Sequence, residues 1–154
     1  MLATAYANTG DLAAADRCLV EALAIHRRRL PGHAAEANIL NMLGVNASKA
    51  GHQLKAQQYF EDALRLKQAQ SPESMAVAFT LNNLAAVARL RGDLAQAERY
   101  NLHALKIKQA AEPDSVSLAR TLYNVGQIAM ARRDFPAAAD YLSQALQILE
   151  RKAP

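Results

Sequence analysis

The sequence predicts an all-α fold, an α-solenoid in which pairs of helices repeat along the chain. Alanine and leucine supply 55 of the 154 residues (34 Ala and 21 Leu), whereas aromatic residues make up 5% and tryptophan is absent. This composition favours closely packed helices over a β-sandwich, because alanine and leucine are strong helix formers and strands prefer β-branched and aromatic residues. A repeat of 41 residues and the helical spacing of apolar residues within each repeat point to the same fold.

The 41-residue repeat is visible as columns of identical or similar residues. Proline recurs at this step throughout, and glycine does so until Arg133 takes the fourth position. The repeating columns are Pro31, Pro72, Pro113 and Pro154; Gly10, Gly51 and Gly92; Ala15, Ala56, Ala97 and Ala138; Ala22, Ala63, Ala104 and Ala145; and Leu23, Leu64, Leu105 and Leu146. Because one helix pair cannot bury its apolar faces alone, we expect stacking of successive pairs to form the core.

Each repeat is predicted to contain two helices joined by a tight turn. In the third repeat, Leu81, Leu84 and Ala88 form an apolar stripe with helical spacing. Gly92 is then expected to end the first helix in the left-handed conformation, and Asp93 to cap the second helix. The equivalent caps are predicted at Asp11 and Asp134, with the weaker His52 in the second repeat, and Pro136 is expected in the first turn of the last helix.

Several classes of site are not indicated by the composition. Cys18 is the single cysteine, so neither an internal disulfide nor a cysteine-built zinc site is expected. The four histidines have no metal-ligand spacing, and no phosphate loop or catalytic constellation is present, so we expect no metal, no cofactor and no enzyme activity. No apolar stretch is long enough for a membrane span and no secretion signal is visible, which predicts a cytoplasmic protein.

The order of these residues resembles the tetratricopeptide repeat (TPR). Leu84 and Ala85 match the leucine and small residue of the first helix, and Gly92, Ala97, Ala104 and Pro113 match the turn glycine, two second-helix alanines and closing proline of that family. The resemblance covers the whole chain, but the period of 41 exceeds the family's 34 residues. The longer form is similar to the repeats of kinesin light chains and to those beside CHAT protease domains in bacteria. It implies a right-handed superhelical solenoid.

The resemblance implies a non-catalytic scaffold that binds a protein or peptide. An alternative is a regulatory or structural arm that holds an effector domain, such as a CHAT protease. A third alternative is nucleic-acid binding, permitted by the net charge of +4. It is disfavoured because the clustered arginines near the helix turns lack the interleaved aromatic residues that stack on bases.

The whole chain, residues 1–154, is predicted to form one array of four repeats, at about 1–30, 31–71, 72–112 and 113–154. The first helix of the first repeat is expected to be truncated, and no polar capping helix follows the last repeat. We therefore expect a segment of a longer protein with further repeats or an effector domain. The competing expectation is a chain that covers its ends by self-association through Leu142, Leu146 and Leu149.

A binding groove is predicted on the first helices of the repeats, which line the concave surface in this family. Helical geometry selects the residues about 100° from the apolar stripe. Asparagine can pair with a peptide backbone and arginine with a carboxylate, so an extended and possibly acidic segment would suit such a lining. The alternative is that these side chains serve helix packing or face solvent. The predicted groove residues are Asn38, Asn41, Asn82, Asn83, Arg89, Arg120, Tyr123, Asn124 and Gln127.

Overall fold

The computed structural model describes residues 11–29, 32 and 34–152, and within these ranges all regular secondary structure is helical. The order of the helices is α1 Leu12–Arg29, α2 Ala34–Lys49, α3 Gln53–Gln70, α4 Met75–Leu90, α5 Leu94–Ala111, α6 Val116–Ala131 and α7 Phe135–Lys152. The predicted truncated helix before Gly10 lies outside the described residues, as do Pro31 and Pro154. The all-α prediction is confirmed.

The chain divides into two compact units, Met1–Pro72 and Glu73–Pro154. In the first unit, α2 packs against both α1 and α3. Its core contains Leu19, Leu23, Leu40, Leu43 and Ala63, with Tyr59 and Leu66 among the partly buried residues around it. These are residues of the predicted apolar columns, so the repeat pattern describes the contacts within this unit.

In the second unit, α4 packs against α5, α5 against α6, and α6 against α7. One core cluster is built from α5, α6 and α7 and includes Leu105, Leu122 and Ile148. A second cluster joins Ala88, Ala97 and Ile128. The alanine at position 97 is fully buried, as expected for a small residue that lets neighbouring helices approach closely.

Aspartate caps begin the second helix of each repeat where the sequence places an aspartate. The carboxylates of Asp11, Asp93 and Asp134 accept hydrogen bonds from Ala14 N, Gln96 N and Ala137 N at 2.9, 2.9 and 3.2 Å. His52 makes no such bond. The sequence analysis did not identify the caps of α4 and α6, where the hydroxyls of Ser74 and Ser115 accept from the backbone at 3.4 and 3.1 Å.

The turns between paired helices require a left-handed residue. Gly51 and Gly92 adopt φ of 83° and 81°, and Arg133 adopts φ of 63° in the column where the fourth glycine would stand. The same turn hydrogen bonds form in both versions, from Gly92 N to Arg89 O and from Arg133 N to Met130 O at 3.0 Å. An L-residue with a side chain is strained in this conformation.

We expect Arg133→Gly to stabilise the protein by about 0.5–1 kcal/mol, because relief of left-handed strain outweighs the greater freedom of glycine in the unfolded chain. Gly92→Ala is the matched reverse substitution and is expected to cost about 1 kcal/mol. No heavy atom lies within 4 Å of a Cβ built on Gly92, so backbone conformation alone is tested there. Urea denaturation followed by circular dichroism measures both changes. An unchanged or lower midpoint for Arg133→Gly would contradict the strain at this turn.

Candidate functional site

Two columns of the repeat face each other where paired helices pack. The first holds Gly44, Ala85 and Gly126, and the second, sixteen residues later, holds the large apolar Phe60 and Leu142 in repeats two and four. A Cβ built on Gly44 would lie 2.6 Å from Phe60 Cε1, and one on Gly126 would lie 2.8 Å from Leu142 Cγ. In these two repeats a large side chain therefore fills the space above a glycine.

The third repeat departs from this pairing, because it combines Ala85 with Asn101. The shorter asparagine leaves a pocket of about 190 Å³. We call it the amide pocket, and its lining comes from α4, α5 and α6: Ala85, Ala86, Arg89, Asn101, Tyr123, Asn124 and Gln127. Ala86, Arg89, Tyr123 and Gln127 are exposed, which places the mouth of the pocket at the protein surface.

Asn101 is the buried polar side chain of this pocket. It is only 2% exposed, and its Oδ1 has no hydrogen-bond partner. A buried carbonyl oxygen without a donor costs about 1–3 kcal/mol. The pocket therefore contains an acceptor that a ligand with an N–H or O–H group can satisfy.

The three helices around the amide pocket are tied together by a buried polar network centred on Thr121. Its hydroxyl donates to Ser117 O at 3.2 Å and accepts from Asn82 Nδ2 at 2.9 Å and from Lys108 Nζ at 2.8 Å. Lys108 Nζ also donates to Ser117 O at 3.3 Å and lies 5.0 Å from the centre of the Phe79 ring. Both lone pairs and the proton of the Thr121 hydroxyl are thus used, and α4, α5 and α6 are linked at one point.

Lys108 is fully buried, although lysine is rarely found so. Burial lowers the pKa of Lys108 from 10.5 to about 8; the nearby positive charge of Arg120 adds to this effect, and Glu112 opposes it. The hydrogen bonds to Thr121 and Ser117 and the face of the Phe79 ring offset part of the cost of desolvating the ammonium group.

The structure brings together four of the predicted groove residues, namely Arg89, Tyr123, Asn124 and Gln127, which all line the amide pocket. Asn82 lies elsewhere: it is 8% exposed and its amide donates to Thr121 inside the fold. Asn83 is half-buried on α4. In the first unit, Asn38 is exposed and Asn41 is half-buried on α2.

Arg120 lines a different surface of the second unit. There the exposed apolar face of α6 and α7 forms a shallow groove with Val116, Leu142, Leu146 and Leu149. Tyr123, which is 50% exposed, borders both this groove and the amide pocket. Leu142, Leu146 and Leu149, the residues predicted to meet a partner subunit, therefore line one face.

Sequence analysis missed Asn101 and Lys108. The signal for Asn101 was present as a polar residue in the otherwise apolar column Leu19, Phe60, Asn101 and Leu142. The signal for Lys108 was weaker, because charged residues are expected on exposed helix faces and the spacing alone does not show that this position is covered.

Two further searches concern the described ranges only. Among residues 11–29, 32 and 34–152, no group of three or more histidine, cysteine, aspartate or glutamate side chains could hold a metal ion. Over the same part of the chain, every helix is too short or too polar to span a bilayer.

The family model of the tetratricopeptide repeat matches residues 1–69 and 76–151. The chain belongs to the tetratricopeptide repeat family. Proteins built from TPR units serve as scaffolds for protein–protein interaction, and their repeats bind protein or peptide partners. A comparison with curated proteins found no match.

Solved structures similar to this TPR chain are also repeat proteins. BtubC (BKLC) from P. vanneervenii is 26% identical with a TM-score of 0.92, and the match covers 98% of this chain and 61% of that one. RapI in its apo form is 15% identical with a TM-score of 0.89, covering 98% and 54%. The nearly identical TPR-like repeats of a putative kinesin light chain from Podosopora anserina are 19% identical to this chain with a TM-score of 0.83, covering 99% and 74%.

These comparisons confirm the predicted TPR-like solenoid class and the likeness to kinesin light chains. The TPR chain spans 61% of the length of BtubC and 54% of that of RapI. The likeness to RapI and to the putative kinesin light chain shows the fold alone.

Proposed function

We propose that this TPR chain is a non-catalytic interaction module that binds an extended segment of another protein at the amide pocket. The observation that carries the proposal is the buried Asn101 Oδ1, which has no partner and lines a pocket open to the surface. A purely structural surface has no need of an unsatisfied buried acceptor, whereas a peptide supplies an N–H donor at every residue except proline.

The side chains around Asn101 suit a polar and acidic segment. Asn124 and Gln127 each carry a donor and an acceptor, so both can pair with a peptide backbone. Arg89 provides a guanidinium group that can bind a carboxylate through two parallel hydrogen bonds. The net charge of +4 further favours acidic over basic partners.

The proposal is tested with fluorescein-labelled degenerate nonapeptide libraries, one enriched in Asp and Glu, one in Lys and Arg, and one neutral. Binding to the whole chain is followed by fluorescence anisotropy. We expect the acidic library to bind most tightly. The pocket variant Arg89→Ala, Asn124→Ala and Gln127→Ala is expected to weaken its binding at least about tenfold, which corresponds to about 1.4 kcal/mol.

The matched control is Arg99→Ala, Gln109→Ala and Gln147→Ala, which removes the same charge from exposed positions outside the pocket lining. It should bind the acidic library within about twofold of the unmodified protein, since exposed contacts contribute little. Equal loss in both variants would show that the pocket is not the binding surface. Binding of a labelled single-stranded RNA, with no binding of any peptide library, would replace the proposal by nucleic-acid recognition.

A further inference from the structure

We propose that the amide pocket is a specificity pocket for a single carboxamide side chain, glutamine or asparagine, of the bound segment. This inference rests on the proposed function and adds the chemical identity of the residue that enters the pocket. It depends on the space below Asn101, on the hydrogen-bonding groups that face this space, and on the rigidity of the surrounding helices.

The space in the pocket is too large for a single trapped water. Its volume is about 190 Å³, whereas one water needs about 10–15 Å³ of space measured in this way. The equivalent space in the repeats on either side is filled by Phe60 and by Leu142. The pocket therefore has room for a side chain of the ligand, at the place where other repeats insert one of their own.

The hydrogen-bonding groups of the pocket select a ligand that both donates and accepts. Asn101 Oδ1 needs a donor, and Arg89 can only donate. A carboxamide provides both functions on adjacent atoms, with its NH₂ group directed to Asn101 and its oxygen to Arg89 or Gln127. A carboxylate lacks the donor, an ammonium group would be repelled by Arg89, and an aliphatic side chain would leave Oδ1 unsatisfied.

The walls of the pocket are held in place before a ligand arrives. Thr121 on α6 binds Asn82 on α4 and Lys108 on α5 at 2.9 and 2.8 Å, and these helices provide the whole lining. Such preorganisation reduces the ordering cost of binding, so a difference of one polar atom in the ligand can be expressed as selectivity.

The test uses an array of nonapeptides with a fixed central residue (Gln, Asn, Glu, Lys, Leu or Ala) and degenerate flanks, probed with the purified whole chain. We expect peptides centred on Gln or Asn to bind about tenfold more tightly than those centred on Leu or Glu. Asn101 can present its NH₂ group instead if the amide rotates, and a preference for Glu would then show that the occupant is a carboxylate and overturn the proposal.

Two variants separate the pocket from the rest of the binding surface. Asn101→Ala removes the amide and leaves the space, whereas Ala85→Gly with Asn101→Leu fills it with the pairing seen at Gly126 and Leu142. The second variant pairs the leucine with a glycine because a Cβ at Gly126 would lie only 2.8 Å from Leu142. Thermal denaturation checks that both variants fold.

In both variants we expect the preference for Gln and Asn to disappear while peptides still bind through their flanks. If the unmodified protein binds peptides without preference at the centre, or if the preference survives both variants, the carboxamide proposal is wrong and the proposed function stands. If no peptide binds the unmodified protein, the proposed function itself fails, and the carboxamide proposal fails with it.

Discussion

Gly44→Ala is expected to lower the free energy of unfolding by about 1–2 kcal/mol, although alanine is the better helix former. The added Cβ would lie 2.6, 2.7 and 2.9 Å from three carbons of the Phe60 ring. Phe60 is 2% exposed, so its ring has no free space into which it can move. Overpacking of this kind costs about 1–3 kcal/mol and exceeds the gain of about 1 kcal/mol in helix propensity.

Gly126→Ala is the matched control, since the same column, helix position and substitution are involved. Its nearest neighbours are Leu142 Cγ and Cδ2 at 2.8 and 2.9 Å, but Leu142 is only partly buried and can rotate away. We expect a change within about 0.5 kcal/mol, because the propensity gain offsets the repacking. Chemical denaturation of the whole chain measures both variants. A loss for Gly126→Ala as large as that for Gly44→Ala would show that the rigidity of the phenyl ring is not the cause.

Lys108 is expected to make the protein more stable as the pH rises from about 7.5 to 9.5. The pKa of Lys108 falls from 10.5 to about 8 in the folded protein because burial disfavours its charged form. Between these two values the unfolded chain binds one more proton than the folded chain, so raising the pH favours folding. The gain is of the order of 1–3 kcal/mol across this window and ends near the unfolded pKa.

Lys108→Met isolates this contribution, because methionine keeps the apolar stem and cannot titrate. We expect the slope of unfolding free energy against pH to be smaller in this variant than in the unmodified protein. Burial also lowers the pKa of Lys67, but Lys67 is present in both proteins and its contribution cancels. Lys106→Met, at an exposed position of the same helix, should keep the original slope. Superimposable pH profiles for the unmodified protein and Lys108→Met would contradict the buried lysine.

Helix positions and turns were predictable because they depend on neighbours along the chain. The glycine and aspartate of each turn act within four residues, and the structure has the cap of Asp93 and the left-handed Gly92 as expected. The 41-residue period also identified equivalent positions, including Arg133 in the glycine column. Ser74 and Ser115 show the limit of such reading, since a serine near a proline is equally compatible with a loop.

The predicted groove residues share helix faces, but the sequence did not reveal the pocket among them. Helical geometry states which side chains share a face, and so it grouped Asn124 with Gln127. The same geometry grouped Asn82 with them, whereas in the folded protein the amide of Asn82 is turned to Thr121. A rotation of a few tens of degrees about the helix axis separates a surface residue from a buried one, and periodicity does not resolve it.

The amino-acid sequence is sufficient for the helices, their caps and the repeat, because hydrogen bonding and capping act over a few residues and the repeat is written four times. The packing of one helix on another decides the rest. Only when α4, α5 and α6 are in contact does the pairing of Ala85 with Asn101 leave an open pocket, and only then is Lys108 covered. Both depend on contacts between residues 13 or more positions apart, whose distances are set by side-chain volume and crossing geometry.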